Sequence, residues 1–387
     1  MVKNSFILWL PSWYPNKIKP YEGDFIQRHA QAAALYNTIY VIKIVSDEKG
    51  FITNNLKIEI SHRPNLVEQI IYLKKSPSFF GRVSFLFKGM RLYTQAIKDC
   101  IRENGSPCFI HIHVITKISL LALWIKKKFK IPFLVSEHWT IYQPGSSGEF
   151  VTQNFFFKYL VRKIVKGSLA LLTVSEDLGI KMQKLVYPKN YIVVPNVVNK
   201  EFFYYRTLGS PKFRFVHIST MGFQKNVEAI VDNFALVHKD FSNVELVLVG
   251  PFTECLYETV KNKGLLNQSV FFRGEIPYYE VAGELQQSNA LVLYSRFENQ
   301  PCVIIESLCC GVPVISSAVG GIPEVVNHTN GILVNSAVSR SLADAMKQMI
   351  KNYQFFDYRE ISKDALKRFS YSTVGKRFDE IYNLGNY

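Results

Sequence analysis

The sequence predicts an α/β protein with two domains, each built on an open and mostly parallel sheet. First, 387 residues are too many for one ordinary core and fit two domains of about 150 to 200 residues each. Second, short apolar runs alternate with helical patterns in both halves of the chain, as in β-α-β units. Third, one series of strands ends near Pro195 and a second begins at Phe213, after a polar and aromatic loop. We therefore expect two separate sheets joined by a linker.

The predicted strands are short and apolar. In the first half they are Phe6–Leu10, Ile39–Ile44, Phe109–His113, Phe133–Ser136, Leu171–Val174 and Ile192–Val194. In the second half they are Phe213–Ser219, Val244–Val249, Val270–Arg273, Ala290–Leu293, Pro313–Ser316 and Gly331–Val334. Val374, Phe378 and Ile381 recur at helical spacing near the end of the chain. The predicted domains are residues 1–195 and 196–369, followed by a helix in 370–387.

The net positive charge of the chain is confined to its first half. Lys and Arg outnumber Asp and Glu by 27 to 12 over residues 1–195, whereas the two sets are equal at 19 each over 196–387. Such asymmetry indicates that the first domain faces a polyanion, either nucleic acid or an anionic membrane surface. The alternative explanation for this excess of Lys and Arg is that the proteins of the cell are basic in general. The aromatic residues lie within apolar runs and no nucleic-acid-binding motif is found, so we do not expect nucleic acid as a partner.

The cysteines and the apolar runs favour a cytoplasmic protein. The six cysteines show no paired spacing that would hold zinc, and we expect reduced thiols. Pro11 ends the first apolar run and Lys117 interrupts the run 115–125, whereas a membrane span needs about 20 apolar residues. We expect a protein that is not integral to a membrane but can lie at its inner face.

Two glutamates, Glu298 and Glu306, flank a predicted helix start at Pro301. Pro301 suits the first turn of a helix, which places Glu298 in the preceding loop and Glu306 one to two turns into the helix. Carboxylates can accept hydrogen bonds from sugar hydroxyls, and a helix amino terminus offers free N–H groups to phosphate. The pattern is therefore typical of a nucleotide-sugar site. The alternative is a capping acid followed by a surface glutamate.

The continuation of this segment carries a resemblance to a known family. Gly311 ends the helix, Val312-Pro-Val314 leads into a strand, and Gly320-Gly321 forms a turn. The stretch from Glu298 to Glu324 resembles the family 4 retaining glycosyltransferases of GT-B fold. The resemblance implies two Rossmann-like domains facing each other across a cleft, with the C-terminal helix packing back on the first domain.

The resemblance extends to further segments and implies roles for them. Ser136-Glu-His-Trp139 matches a strand-end histidine that lies against the transferred sugar, and Thr220-Met-Gly-Phe-Gln-Lys225 matches a loop whose lysine neutralises the donor phosphates. Pro195-Asn196 matches an interdomain pair. The implied catalytic residues are His138, Lys225 and Glu298. The implied donor-binding residues are Gly23, Lys225, Gly274, Ile276, Glu298, Asn299, Gln300, Pro301, Cys302 and Glu306.

Two departures from the family pattern affect the phosphate contacts. Many members place an arginine shortly before the lysine, where this chain reads Ser219-Thr220-Met221. Lys225 then carries the phosphate charge alone, or another base replaces the arginine. Pro301 stands where many members have glycine and removes one backbone donor.

The resemblance implies an enzyme that transfers a sugar from a nucleotide-diphosphate donor to a hydroxyl with retention of configuration. It implies no cofactor and no metal, and no Asp-x-Asp motif occurs. A glycan or a lipid-linked molecule is the expected acceptor, in surface polysaccharide or glycolipid synthesis. Segments 78–91 and 155–166 combine aromatic and basic residues that suit an anionic leaflet, although ordinary core helices with basic outer faces are equally consistent.

Several alternatives stay open at this stage. A nucleotide-sugar epimerase of the same fold would act without an acceptor, a phosphorylase would need a pyridoxal-phosphate lysine that is not found, and a basic nucleic-acid-binding protein is the rival of a different class. His138 is a structural histidine if the resemblance is set aside. His111 and His113 share one strand face, where packing is a simpler explanation than metal binding. Asp24 is either a residue of the cleft or a solvated loop acid.

Overall fold

The structure is a computed structural model that describes residues 6–75, 79–206, 211–335 and 341–384. The first sheet contains β1 to β8 and the second β9 to β14, with helices on their faces. The strands of the first sheet are β1 Phe6–Pro11, β2 Thr38–Asp47, β3 Leu56–Arg63, β4 Leu66–Lys74, β5 Phe109–His113, β6 Phe133–Glu137, β7 Leu171–Thr173 and β8 Tyr191–Val193. Those of the second are β9 Phe213–Ile218, β10 Val244–Val249, β11 Val270–Gly274, β12 Ala290–Leu293, β13 Val314–Ser317 and β14 Gly331–Val334.

The helices follow the strands in alternation. Those of the first domain are α1 Asp24–Ala33, α2 Phe79–Asn104, α3 Leu120–Phe129, α4 Phe155–Gly167 and α5 Glu176–Leu185. Those after it are α6 Val227–Asp240, α7 Glu254–Asn262, α8 Tyr278–Gln286, α9 Cys302–Cys309, α10 Ser341–Asn352, α11 Tyr358–Phe369 and α12 Tyr371–Leu384. In the part of the chain that the structure describes, no helix has the length and apolar composition to cross a membrane.

The order of the strands indicates where each sheet can bind a ligand. The first sheet runs β3-β4-β2-β1-β5-β6-β7-β8 and the second runs β11-β10-β9-β12-β13-β14. In each sheet the order reverses direction beside the first parallel strand of the domain, β1 or β9. Ligands of open α/β sheets bind at such switch points, beyond the carboxyl ends of the strands. The loops that follow β1, β6, β9, β12 and β13 therefore form the candidate site.

All of the predicted strands are present, and their ends are shifted by at most three residues. The prediction missed the hairpin of β3 and β4. These two strands pair antiparallel, with Arg63 opposite Leu66, and Asn65 takes a positive φ of 57° in the two-residue turn. Leu56, Ile58 and Ile60 alternate with polar residues along β3 but remain exposed at the sheet edge. This alternation is a signal for a strand, and it was available in the sequence.

Helix α12 packs back on the first domain, as predicted. Val374, Phe378 and Tyr382 are buried with the residues of β1 and α1. The ring of Phe378 lies 5.8 Å from that of Trp9, and a Cβ on Gly375 would lie 2.1 Å from the carbonyl oxygen of Ala32. The last helix of the chain therefore closes the core of the first domain.

Candidate functional site

Helix α9 begins at the centre of the predicted donor segment. Pro301 caps the helix in an extended conformation, with φ −69° and ψ 126°, and the first helical residue is Cys302. The helix therefore starts within one residue of the predicted position. Glu298 lies in the loop before the helix and Glu306 in its second turn, and both residues are 4% exposed. Surface positions for these two glutamates are excluded by this burial.

Glu298 forms an ion pair with Lys225. The Nζ atom of Lys225 lies 2.5 Å from Oε1 of Glu298. Gln224 beside the lysine donates from Nε2 to the carbonyl oxygen of Phe297 at 2.9 Å, which holds the loop after β9 against the loop after β12. These two strands are neighbours in the second sheet. The two predicted catalytic residues of this domain are thus brought together by adjacent strand ends.

Gly320 holds the turn after β13 against Glu298. Its φ is 56°, and a Cβ at this position would lie 1.8 Å from the carbonyl oxygen of Glu298. The N–H of Gly321 donates to the carbonyl oxygen of Asn299 at 2.9 Å. The glycine pair is therefore required for close packing of this turn against the donor segment.

Glu306 is paired with Arg28, a residue of the first domain that the sequence prediction missed. Nη1 of Arg28 lies 2.7 Å from Oε1 of Glu306, and Nη2 lies 3.2 Å from Oδ2 of Asp24. The guanidinium also stacks on Tyr278, with Cζ 4.4 Å from the ring centroid. Burial raises the pKa of Glu306, and the charge of Arg28 opposes this rise. The nearby Asp24 thus takes part in the site, which the sequence left undecided.

Asn299 and Gln300 join the two domains. Nδ2 of Asn299 donates to the carbonyl oxygen of His138 at 2.8 Å, and Gln143 donates to Oδ1 of Asn299 at 2.8 Å. The backbone N–H of Asn196 donates to Oε1 of Gln300 at 2.6 Å. Asn299 is therefore hydrogen-bonded across the cleft, and Gln300 is hydrogen-bonded to the interdomain segment at Asn196.

His138 is presented by a loop that the carboxylate of Glu137 organises. This carboxylate accepts hydrogen bonds from the backbone N–H groups of Ile115, His138 and Trp139 at 2.8 to 3.1 Å. Burial raises the pKa of Glu137 to about 7, although these hydrogen bonds oppose the rise. Glu137 immediately precedes the matched histidine in the sequence, and that position was the signal by which it could have been found.

The imidazole of His138 belongs to a cluster of four histidines with His29, His111 and His113, of which the other three are buried and His138 is partly buried. The rings of His113 and His138 stack at 5.9 Å between centroids, and His111 lies 4.2 Å from His113. Neither ring nitrogen of His113 or of His138 has a hydrogen-bond partner among the described residues. Burial lowers the pKa values of all four, to about 4 for His29 and about 3 for His111. The imidazoles are therefore neutral near pH 7.

The sequence left packing and metal binding open for His111 and His113, and the structure shows packing. Among the residues that the structure describes, no three or more His, Cys, Asp or Glu side chains are arranged to hold a metal ion. His111 is hydrogen-bonded on both nitrogens, to Tyr382 at 2.7 Å and to Ser136 at 2.8 Å. The cluster thus connects helix α12 to the His138 loop.

The loop after β1 contains a glycine and lies above a buried lysine. Gly23 has a φ of 67°, and a Cβ on it would lie 2.6 Å from the carbonyl carbon of Trp13. Lys43, which the sequence prediction missed, is 5% exposed and donates to the carbonyl oxygen of Ser12. Burial lowers the pKa of Lys43 to about 8.

The remaining predicted residues line the second domain near Tyr278. Gly274 ends β11 with a φ of 69°, and its carbonyl oxygen accepts from the N–H of Gly250 at 2.8 Å. Ile276 follows it and is partly buried against the core. Burial raises the pKa of the Cys302 thiol to about 12, while Arg28 opposes this shift. The thiol is therefore protonated near neutral pH.

A separate cavity of about 750 Å³ lies in the second domain, away from this site. It is lined by residues that precede β14 and by residues of α11 and its cap, among them Asn330, Asp357, Glu360 and Arg368. None of the predicted catalytic or donor-binding residues lines it. The cleft between the domains therefore remains the candidate site.

Comparison with known proteins shows similarity to glycosyltransferases. Residues 205–368 match the model of the family described as glycosyl transferases group 1. An uncharacterised glycosyltransferase of Methanocaldococcus jannaschii is 25% identical over 328 residues, 84% of this chain and 86% of that protein. The second domain therefore matches the group 1 glycosyltransferases, and the chain as a whole is similar to proteins named glycosyltransferases. The α-monoglucosyldiacylglycerol synthase of Streptococcus pneumoniae is another relative of this glycosyltransferase, 26% identical over 64% of this chain and 59% of that protein.

Solved structures show the same fold as this glycosyltransferase. Sucrose-phosphate synthase of Thermosynechococcus elongatus has a TM-score of 0.77 at 18% identity and covers 98% of each chain. The Anabaena protein HepE in complex with UDP has a TM-score of 0.71 at 15% identity and covers 98% of this chain and 100% of that one. The fold is therefore GT-B, as the resemblance implied.

Proposed function

We propose that this glycosyltransferase moves a sugar from a nucleotide-diphosphate sugar to a hydroxyl group with retention of anomeric configuration. The main support is the placement of two buried carboxylates, Glu298 and Glu306, on either side of the start of α9. Each carboxylate is paired with a cation, and carboxylate oxygens accept hydrogen bonds from hydroxyl groups. HepE, which shares the fold, was solved with UDP, and this supports a nucleotide-bearing donor.

In the proposed reaction the bond between the anomeric carbon and the diphosphate oxygen breaks, and a bond to the acceptor oxygen forms on the same face. The acceptor proton passes to the departing phosphate. Negative charge develops on the diphosphate, where Lys225 and the free N–H groups of α9 stabilise it without a metal. Glu298 orients the sugar hydroxyls and Glu306 the ribose, and neither attacks the sugar.

His138 is the proposed contact to the transferred sugar from the first domain. Its buried ring nitrogens have no partner among the described residues, and a neutral imidazole offers one donor and one acceptor. Asn299 fixes the loop by its hydrogen bond to the His138 carbonyl oxygen. A sugar hydroxyl would satisfy a group whose isolation costs about 1 to 3 kcal/mol.

Ligand-dependent thermal unfolding with UDP-, GDP- and ADP-sugars tests this proposal. A donor present at about 100 times its Kd should stabilise the protein by about 2.7 kcal/mol. NMR of the product with the responding donor should show retained anomeric configuration in a new glycosidic bond. Release of an epimerised free nucleotide sugar, or the absence of stabilisation by every nucleotide sugar, would contradict the proposed transferase.

We propose further that the first domain rests on an anionic membrane, where a lipid-linked or glycan acceptor is presented. Phe155 and Phe156 at the start of α4 are 70% and 80% exposed, and Tyr159 is 55% exposed. The helix also carries Lys158, Arg162, Lys163 and Lys166, so aromatic groups and cations occur together. In the other predicted segment, 78–91, residue 78 and the side chains of 79–84 and 86 lie outside the described residues. The relative named α-monoglucosyldiacylglycerol synthase supports a lipid acceptor.

Cosedimentation with phosphatidylserine-containing vesicles tests this surface. The double variant Phe155→Ser, Phe156→Ser should lose most of its vesicle binding at low salt. Phe355→Ser is the matched control, because Phe355 is 79% exposed but lies in the second domain. Equal binding by the double variant and the wild type would exclude this helix as the docking surface, and binding to an oligonucleotide instead would favour the nucleic-acid alternative.

A further inference from the structure

Two cations, from different domains, lie beside the start of helix α9. Lys225 comes from the loop after β9 and pairs with Glu298, and Arg28 comes from α1 of the first domain and pairs with Glu306. Both Arg28 and Lys225 lie within electrostatic reach of the Cys302 thiol in the first turn of α9. The amino terminus of this helix is therefore approached by positive charge from both sides of the cleft.

Arg28 has hydrogen-bonding capacity that its carboxylate partners do not use. It is 7% exposed, and its Nε atom has no hydrogen-bond partner among the described residues. A guanidinium carries five N–H donors in a planar fork that matches phosphate oxygens. A buried donor without an acceptor is unfavourable, so we expect a ligand to accept a hydrogen bond from the Nε–H of Arg28. The free donor lies on a side chain already next to a predicted donor-binding glutamate.

We propose that Arg28 is a second phosphate-binding residue of the donor site and replaces the arginine missing before Lys225. This inference rests on the proposed function. The loop Ser219–Met221 supplies no cation, and Lys225 alone cannot balance a diphosphate that carries at least two negative charges. When a nucleoside diphosphate binds, the ribose hydroxyls donate hydrogen bonds to the carboxylate of Glu306. Arg28 then donates a hydrogen bond to a phosphate oxygen.

The two carboxylates beside Arg28 repel an incoming phosphate electrostatically. This repulsion is reduced when Glu306 exchanges Arg28 for the ribose hydroxyls. The side chain of Asp24 is 38% exposed, so solvent screens its charge. Glu306 is buried, but the ribose hydroxyls satisfy its oxygens once the nucleotide is present. Because Arg28 belongs to the first domain, donor binding would also hold the two domains together.

Calorimetric titration of the full chain with a matched set of ligands tests the role of Arg28. The ligands are the nucleoside diphosphate that stabilises the protein most, the corresponding nucleoside, and inorganic pyrophosphate, which has no ribose. Arg28→Gln should weaken binding of the diphosphate and of pyrophosphate by about 10- to 100-fold, as expected for lost charge-assisted hydrogen bonds. Nucleoside affinity should change less than about threefold. Arg377→Gln, which removes an arginine from an exposed ion pair with Glu380, should leave all three unchanged.

Glu306→Gln provides a second and independent readout. Removing the competing carboxylate should strengthen pyrophosphate binding and weaken diphosphate binding, because only the nucleotide contains a ribose. If Glu306 merely joined the domains, its substitution would not strengthen the binding of one ligand and weaken the binding of the other. If Glu306→Gln changes both affinities in the same direction, or Arg28→Gln reduces nucleoside and diphosphate binding equally, the proposal is overturned. A wild-type protein that binds none of the three ligands would instead refute the proposed function itself.

Discussion

Lys225 and Glu298 form a close ion pair between two neighbouring loops, with 2.5 Å between Nζ and Oε1. The side chains are 17% and 6% exposed, so the pair is largely removed from solvent. Breaking a buried pair leaves one charge uncompensated, which costs more than the pair contributes. The two residues are therefore mutually dependent, and a change in either one alters the loop that we propose binds the donor.

Lys225→Met should reduce kcat/KM by about 100- to 1,000-fold, because the cation nearest to Glu298 would no longer stabilise the developing phosphate charge. Steady-state kinetics with the responding donor measure this loss. Lys261→Met is the control, since Lys261 is 57% exposed in a surface pair with Glu258. Similar activities for both variants would show that Lys225 has no role in catalysis.

Gly320→Ala should abolish activity and destabilise the second domain. The new Cβ would lie 1.8 Å from the carbonyl oxygen of Glu298, so the donor loop must move. Gly264→Ala is the matched control, because Gly264 has a similar φ of 69° and no atom within 4 Å of a new Cβ. The control should cost only about 1 to 2 kcal/mol for the left-handed conformation. Equal unfolding temperatures and activities for the two variants would contradict the importance of this contact.

Glu137 should give the protein a component of stability that is lost as the pH rises. Its folded pKa is about 7, above the ordinary value of 4.5 for an unfolded chain, so the folded state binds more protons between these values. The contribution is complete below pH 4.5 and disappears as the pH increases through 7. The test compares the unfolding temperatures of wild type and Glu137→Gln from pH 4.5 to 8. The two temperatures should be similar near pH 4.5 and should differ increasingly towards pH 8. Parallel curves would show that Glu137 does not titrate in this range.

The histidine cluster should have the opposite effect and make the protein sensitive to acid. Unfolded histidines titrate near 6.5, whereas those of the cluster have lowered pKa values, about 4 for His29 and about 3 for His111. The unfolded state therefore binds more protons below pH 6.5, and stability falls as the pH decreases from 6.5 towards 4.

His113→Phe should be close to wild type in stability at pH 7 and lose less stability in acid. The aromatic ring preserves the stacking on Trp9 and His138, and neither nitrogen of His113 has a partner to lose among the described residues. Chemical denaturation at pH 7 and pH 5 measures the difference. An acid loss equal to that of wild type would show that His113 does not contribute to the sensitivity.

Much of the fold and the centre of the site follow from local sequence patterns. The strands could be predicted because buried parallel strands appear as short apolar runs. The Glu298 to Glu306 segment could be recognised because its spacing, the cap at Pro301 and the glycine turn all lie within one continuous stretch. The β3–β4 hairpin was missed although its alternation is visible, because β3 lies at the sheet edge with its apolar residues exposed.

The sequence by itself thus determined the two mostly parallel sheets, the segment that carries the two glutamates proposed to bind the donor, and the confinement of the net positive charge to the first domain. Only the tertiary structure decided which groups meet these carboxylates. Arg28 and Glu306 are 278 residues apart in the chain, and the four histidines come from three separate segments of the first domain. Local periodicity reports which face of an element is buried, but not which residue of another domain lies opposite it, because this depends on how the two sheets pack across the cleft.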